Sequence, residues 1–467
     1  MRLLLLLSAI FCCASVLHAQ QNRYIAMDGS DSGNTCADTA SPCLTITHAL
    51  EEATAGDTLN VAAGTFTETM TITKRITIRG EGADNTIIQA HVEPGQADGR
   101  VINVRPASQM VIIEGVTIRH GNATGFSDSG WGGGIFVELA GLRMHNARVI
   151  DNTASRGGGI YISSSSPRLV NVEILRNEAT QAGQGGGGMF ITASTSAPVL
   201  INTVIYGNKG QYGGGIYMNN DSRPELINAT ISGNEAEYGG GLYIWLGAHA
   251  TLTNTIVWGN EAEELGNEIY NATSGSAELS HSLYRNGPDD INEGGGFDLI
   301  AGNLTSDPLF RNAEAGNLRL RAGSPAIMTG SSAPYSETGA AFGVLTDPDG
   351  NDRIFGDSVD MGAYEFDGSA SSVESLSDVP SSVVLHQNYP NPFNPSTTIG
   401  FYLPEASDIR LTVHDMLGRE VGVLAQGPVA SGEHSVVFDA SQLPGGVYMY
   451  RLTAGSHALT RKLTLIK

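Results

Sequence analysis

Positive charge is scarce in this sequence. Lysine and arginine total 26 against 48 aspartates and glutamates, for a formal net charge of −22 over 467 residues. A surface of that sign repels nucleic acid and anionic membrane, so neither is an expected partner. The imbalance lies upstream, since the 87 residues from Ser381 onward carry six basic and six acidic side chains. Long apolar runs are also few. One fills residues 3–17, behind Arg2 and ahead of the small Ala19, and residues 1–19 read as an export signal cleaved after "LHA". No later run is long enough to span a bilayer as a helix, so no transmembrane segment is expected in the mature chain. Cysteine is rarer still: there are four, and Cys12 and Cys13 fall in the export signal. The remaining pair, Cys36 and Cys43, is expected to form a disulfide in an oxidising compartment and to pin the loop "CADTASPC". The composition otherwise suits a folded chain of two or three domains, with 41% hydrophobic and 16% charged residues.

Glycine and repetition are abundant. The stretches "LVNVEILRN", "LINTVIYGN", "LINATISGN" and "LTNTIVWGN" align without gaps. Met144, Leu169, Leu200, Leu226, Leu252 and Leu279 form one column; Asn146, Asn171, Asn202, Asn228, Asn254 and His281 form a second. A third holds Asn152, Asn177, Asn208, Asn234, Asn260 and Asn286, at separations of 25, 31, 26, 26 and 26 residues. Between them fall glycine triplets beginning at Gly132, Gly157, Gly186, Gly213 and Gly239. Such a unit cannot bury its own apolar face, but copies can stack as parallel strands about 4.8 Å apart, with equivalent side chains directly above one another. Leucine and isoleucine then fill the interior. The ladder Asn152, Asn177, Asn208, Asn234 and Asn260 is expected to satisfy backbone groups at a turn. Fifteen glycines at about 0.5–1 kcal/mol each would cost roughly 7–15 kcal/mol against alanine, which implies a geometric requirement at a crowded or left-handed corner. A glycine-rich calcium-binding repeat would place Asp after the glycines, whereas Ile, Met or Leu follows here.

The predicted fold is all-β: a parallel β-helix over residues 61–290, an N-terminal cap over 20–60, a closing part over 291–366, a Gly/Ser-rich acidic linker over 367–382 and a small immunoglobulin-like β-sandwich over 383–467. Ile46, Ala49, Leu50 and Ala53 share one helical face ahead of Gly56, so a short cap helix is expected there. "PCLTITHALEEATAGDTLNVAAGT" resembles the N-terminal portion of right-handed β-helix proteins of the pectin-lyase-like superfamily, a likeness of fold and not of reaction. "DPLF", "LRLRAGSPAI" and "DPDGNDRIFGDSVDMGAYE" together resemble the terminal region of bacterial surface β-helix proteins called choice-of-anchor Q, although Met328 stands where an acidic or amide residue commonly follows "SPAI". The motif at residues 389–395, a strand read over 411–421, "LPGGVYMYRL" and the ending at 462–467 closely resemble the type A C-terminal sorting domain of the type IX secretion system of Bacteroidetes-like bacteria. That resemblance implies the type IX machinery as a partner and a place outside the cell or on the outer surface of the outer membrane.

Chemistry is harder to find. Glycoside hydrolysis needs two opposed carboxylates, and lyases of this fold use a base with calcium-held carboxylates; the motifs "WIDH" and "RxPxxR" do not occur. Asp151, Glu173 and Glu225 occupy columns with mixed membership and read as solvated charges. The strands after the glycine triplets are more informative. Alternation puts Tyr161, Phe190, Tyr217 and Tyr243 outward in one stacked ladder that Phe136 and Tyr270 extend, a candidate platform for sugar faces, with mutual packing as the alternative. Asp347, Asp349, Asn351 and Asp352 in "DPDGND" are spaced to wrap a structural calcium, and a plain turn explains them equally well. His281 reads as a variant of its asparagine column. The expected function is an exported binding or structural module of adhesin type acting on polysaccharide; the rival is a polysaccharide lyase or glycoside hydrolase.

Overall fold

The computed structural model describes residues 20–366 apart from 106–109, 125–129, 182–184, 273, 288, 342 and 355–357, and residues 383–465 apart from 386, 387, 389–392, 394, 404, 405, 417, 431, 442 and 456. The expected export signal, the expected linker and most of the 389–395 motif lie outside these residues. The chain divides into two units, one ending at Asp367 and the other starting at Gly368.

The first unit is a parallel β-solenoid. Each repeat contributes short strands to separate parallel stacks, and one stack is nine strands deep, from Met70–Ile72 to Ile291–Glu293. Met144, Leu169, Leu200, Leu226, Leu252 and Leu279 are successive register partners. All six are fully buried. Each such side chain contributes about 1.5–3 kcal/mol on leaving water, which an isolated repeat could not gain. The bend that follows the leucine column is made by Asn146, Asn171, Asn202, Asn228, Asn254 and His281, whose φ values run from 47° to 53°. This left-handed conformation is tolerated by asparagine better than by most residues.

The glycine triplets answer to two separate demands, seen at residues 213–215. Gly213 has φ +62°, and a Cβ on it would lie 2.4 Å from the Ile216 carbonyl oxygen. A Cβ on Gly214 would lie 2.4 Å from the Glu235 oxygen of the next coil, and one on Gly215 would lie 2.6 Å from the oxygen of Gly241. The first glycine is needed for its dihedral and the next two for close backbone stacking.

At the N-terminal side, Ile46–Glu52 forms the single α-helix among the described residues, started by the Thr45 hydroxyl accepting from the His48 amide. Glu68 accepts from the amides of Ile46 and Thr47 at 2.9 and 2.8 Å. Ile46, Ala49, Leu50 and Ala53 all join the solenoid's apolar core. Cys36 and Cys43 form the expected disulfide, with a Cα–Cα distance of 5.1 Å.

The expected closing part is arranged differently. Only its first strands, Ile291–Glu293 and Gly296–Leu299, continue the coils. The chain then returns along the outside. Phe310, Leu318, Leu320, Met361 and Tyr364 pack on Val204, Ile256 and Leu283, and Tyr335, Ala341 and Val359 pack on Val170, Ile201 and Ile227. The reason lies in the coils, where pairs such as Leu200–Ile201 are apolar on both faces of the strand, so the outer face also needs cover.

In the second unit, Val384–Leu385, Ser396–Leu403 and Gly432–Asp439 form one antiparallel sheet. Glu420–Val429, Ser407–Asp415, Gly446–Ala454 and His457–Leu465 form another. Phe401, Leu411, Tyr450 and Leu452 lie in one shared apolar cluster. The strand expected over residues 411–421 is two strands, broken by a turn in which Gly418 has φ +79°.

Candidate binding surface

The outward aromatics form a ladder. Phe136, Tyr161, Phe190, Tyr217, Tyr243 and Tyr270 are successive register partners. Their rings stack with centroids 5.3, 5.1, 4.7, 5.2 and 4.9 Å apart and planes within 15° of parallel. The expected exposed platform is not built from the first four, because Phe136, Tyr161, Phe190 and Tyr217 are at most 3% exposed. The physical reason is that each ring gives its faces to its neighbours, while a second column covers the edges. Trp131 stacks on Tyr161 at 4.8 Å, Tyr212 leans on Tyr243 at 5.0 Å, and Tyr238 meets Tyr270 edge-on at 5.5 Å. The guanidinium carbons of Arg100 and Arg105 lie 4.5 and 4.8 Å from the Phe136 centroid, closing that end. Burial pushes the Tyr217 hydroxyl up to about 12. Sequence reasoning missed the second column, although Trp131, Tyr212 and Tyr238 each immediately precede a glycine triplet.

The ladder opens at its C-terminal end. Tyr212, Tyr238, Tyr243 and Tyr270 are half-buried. Tyr270 stacks on Tyr243 on one side, and its register partner on the other is Asn292, so among the described residues no ring stacks on its outer face.

The inner asparagine ladder is as expected over five coils and then departs from expectation. The Asn177, Asn208 and Asn234 side-chain oxygens each accept from the main-chain and side-chain amides of the preceding member, at 2.9–3.1 Å. Asn234 bonds likewise to Asn260. The sixth rung is not Asn286 but Glu268, which accepts from Asn260 Nδ2 at 2.6 Å and from the Gly259 amide at 2.8 Å. Burial pushes the Glu268 carboxyl up to about 7, against the pull of Asn260 and Arg285. His281 keeps the left-handed φ of its column, and its Nδ1 pairs with Ser280 Oγ at 3.0 Å.

The "DPDGND" carboxylates do not converge. Asp347 is buried, and its oxygens accept from the amides of Asp349, Asn351 and Glu365 and from Asn351 Nδ2. Asp349 is held by Arg319 through two contacts of 2.5 Å, while Asp352 is exposed. The loop is a hydrogen-bonded turn in which the carboxylates of Asp347 and Asp349 already have donors, the plain-turn alternative to a calcium wrap. Met328, at the position where the resemblance departs, gives its amide to Asp360 at 2.7 Å.

Other neighbouring acids are bridged by arginine: Asp84 and Glu173 through Arg148, and Glu268 and Asp290 through Arg285. Asp151 is paired with Arg176 at 2.9 Å. Glu173 also accepts from the Tyr364 hydroxyl at 3.0 Å, and Glu225 is half-buried, so neither is the freely solvated charge expected of it.

The family model described as "Right handed beta helix region" matches residues 74–257, and the one described as "Secretion system C-terminal sorting domain" matches residues 387–467. The chain is an exported protein. Its sorting domain makes it a client of the secretion machinery, secreted or attached to the outer surface of the outer membrane. No helix among the described residues is long and apolar enough to cross a membrane. No curated protein matches the chain. Among solved structures, XylC in complex with xylose is 10% identical, with 89% of this chain and 100% of that chain covered and a TM-score of 0.39. The pectin methylesterase from Aspergillus niger in deglycosylated form is 13% identical, with coverages of 62% and 88% and a TM-score of 0.35. The Dettilon tailspike protein is 12% identical, with coverages of 90% and 86% and a TM-score of 0.33. At such identities and scores these likenesses carry no argument about chemistry.

Proposed function

We propose that this chain is an exported adhesin-type module that binds polysaccharide on the open end of its aromatic ladder. In this reading, residues 1–19 direct export and are removed, Ile46–Glu52 seals one end of the apolar column, and the C-terminal unit is an immunoglobulin-like sandwich read by the type IX machinery. Residues 291–366 are of the choice-of-anchor Q type. The observation that carries the binding role is Tyr270: one face is stacked on Tyr243 at 4.9 Å and the other faces the rung of Asn292. A sugar ring laid there would continue the stack, with Tyr238 as its side wall. The rival lyase or hydrolase needs acids free to exchange protons with substrate. Here the neighbouring acids named above are held by arginines.

Tyr217 is buried, so truncating it would report on stability. The informative variant is Tyr238→Ala combined with Tyr270→Ala, tested in the full chain against an array of neutral and acidic polysaccharides. Binding of whichever glycan the wild type retains should fall about tenfold, in line with roughly 0.5–1.5 kcal/mol for each of the two lost ring contacts. Unchanged retention by the double variant would dismiss the tyrosine end as the contact face.

A further inference from the structure

A second feature lies on a different stack of the solenoid. Strands Gly141–Ile150 and Arg168–Leu175 pair in register, and two of their outward cross-strand pairs contrast. Arg148 lies opposite Glu173 and makes an ion pair with it. Arg143 lies opposite Arg168, like charges on adjacent rungs in a chain of net charge −22. Arg143 has no ion-pair partner among the described residues, and the hydrogen bond that Arg168 makes there is from Nη1 to the Ala340 oxygen at 2.5 Å. Beside them a cleft of about 320 Å³ opens between the solenoid and the returning segment. His145, Asn146, Arg168 and Asn171 supply its polar wall, and Val344 and Leu345 part of its apolar one. Burial, reinforced by Arg168 and Arg143, holds the His145 imidazole below its ordinary range despite Glu114.

We propose that this cleft binds a compact oxyanion carried by a sugar, either a uronate carboxylate or a sulfate ester. Arg168 reaches it with donors left over from Ala340, and Arg143 supplies a second positive charge. Such a group offers the paired oxygens that a guanidinium fork matches, and the apolar wall suits the C–H face of a sugar ring. An oxyanion also relieves the repulsion between the two arginines. The assignment is independent of the tyrosine reading, because the residues lie on another stack.

The test follows the His145 ring by NMR in the full chain during titration with trigalacturonate, with its methyl ester and with inorganic sulfate. Trigalacturonate or sulfate should shift the His145 resonance and raise its pKa, whichever does so identifying the oxyanion, while the ester should do neither. Arg168→Gln should weaken binding about tenfold, as loss of one charge-assisted fork implies. Arg143 is exposed, so Arg143→Gln tests the same charge without disturbing the contact to Ala340. Tyr238→Ala with Tyr270→Ala should leave this titration unchanged. The proposal is overturned if neither anion moves His145 at about 10 mM, if the ester acts as well as the acid, or if both folded arginine variants bind like wild type.

Discussion

Asn202 and Asn208 belong to the same coil and each stands in a column of asparagines, yet the two columns spend their amides in opposite directions. Asn208 gives Nδ2 to the Ile174 oxygen and to Asn234, and receives from Asn177, so its partners are members of neighbouring coils. Asn202 bonds along its own column to Asn171, but it also donates to the Thr346 oxygen at 3.0 Å. Asn228 donates to the Asp360 oxygen at 2.7 Å and accepts from the Tyr335 hydroxyl at 2.8 Å. The inner column replaces a backbone ladder where the chain bends inside the solenoid. The outer column sits on a left-handed bend and holds the returning segment in place. A repeated residue thus fixes the stacking but leaves open which side of the chain it serves.

The sharpest way to break this comparison is to remove one inner amide. Asn208→Ala leaves the Asn177 main-chain amide without its partner in a dry interior and takes one donor from the Ile174 oxygen, and at about 1–3 kcal/mol for an orphaned group the expected loss is about 2–3 kcal/mol. Thermal unfolding followed by circular dichroism reads it, with hydrogen exchange expected to quicken first in the neighbouring coils. A loss below about 1 kcal/mol would mean that the ladder is decorative. The outer counterpart is Asn228→Gly, which keeps the left-handed bend available while deleting the amide. The expected effect is local: limited proteolysis within residues 331–366 should accelerate, whereas the solenoid melt should move by no more than about 1 kcal/mol. Equal effects from the two substitutions would erase the distinction.

The coil repeat was legible because stacking puts equivalent residues in line, so the columns of Leu200, Asn202 and Asn208 recur every 25–31 residues. The outward direction of Tyr217 followed from strand alternation, but its burial did not, since Phe190 and Tyr243 take its faces and Tyr212 and Trp131 pack against the ladder, and alternation is blind to what lies across a turn. The return of residues 308–366 along the flank left only an indirect trace, in strands such as "LINTVI" that are apolar on both faces. The "DPDGND" loop has the residue types of a cation site, and only coordinates show that Asp349 is committed to Arg319. Glu268 had no periodic signal at all, since it precedes the aligned position by 18 residues and reaches the ladder from the following coil.

That carboxylate supplies the smallest expected effect and the finest test of the inner column. Its folded-state pKa of about 7 lies above the ordinary 4.5, because burial penalises the charged form. Between those values the folded chain therefore binds more protons than the unfolded one, and stability falls as pH rises. The contribution is fully present below about 4.5 and lost once pH has passed about 7. Melting temperature should accordingly decline between pH 5 and 8, and Glu268→Gln should flatten that decline by removing the titration. The glutamine presents one amide donor towards a ladder end that already offers donors from Gly259 and Asn260, so a modest uniform loss at all pH values is expected beneath the flattening. A wild-type slope that survives in Glu268→Gln would assign the titration to another buried acid, of which Glu365, pushed up to about 8 by burial beside Arg353, is the first to examine.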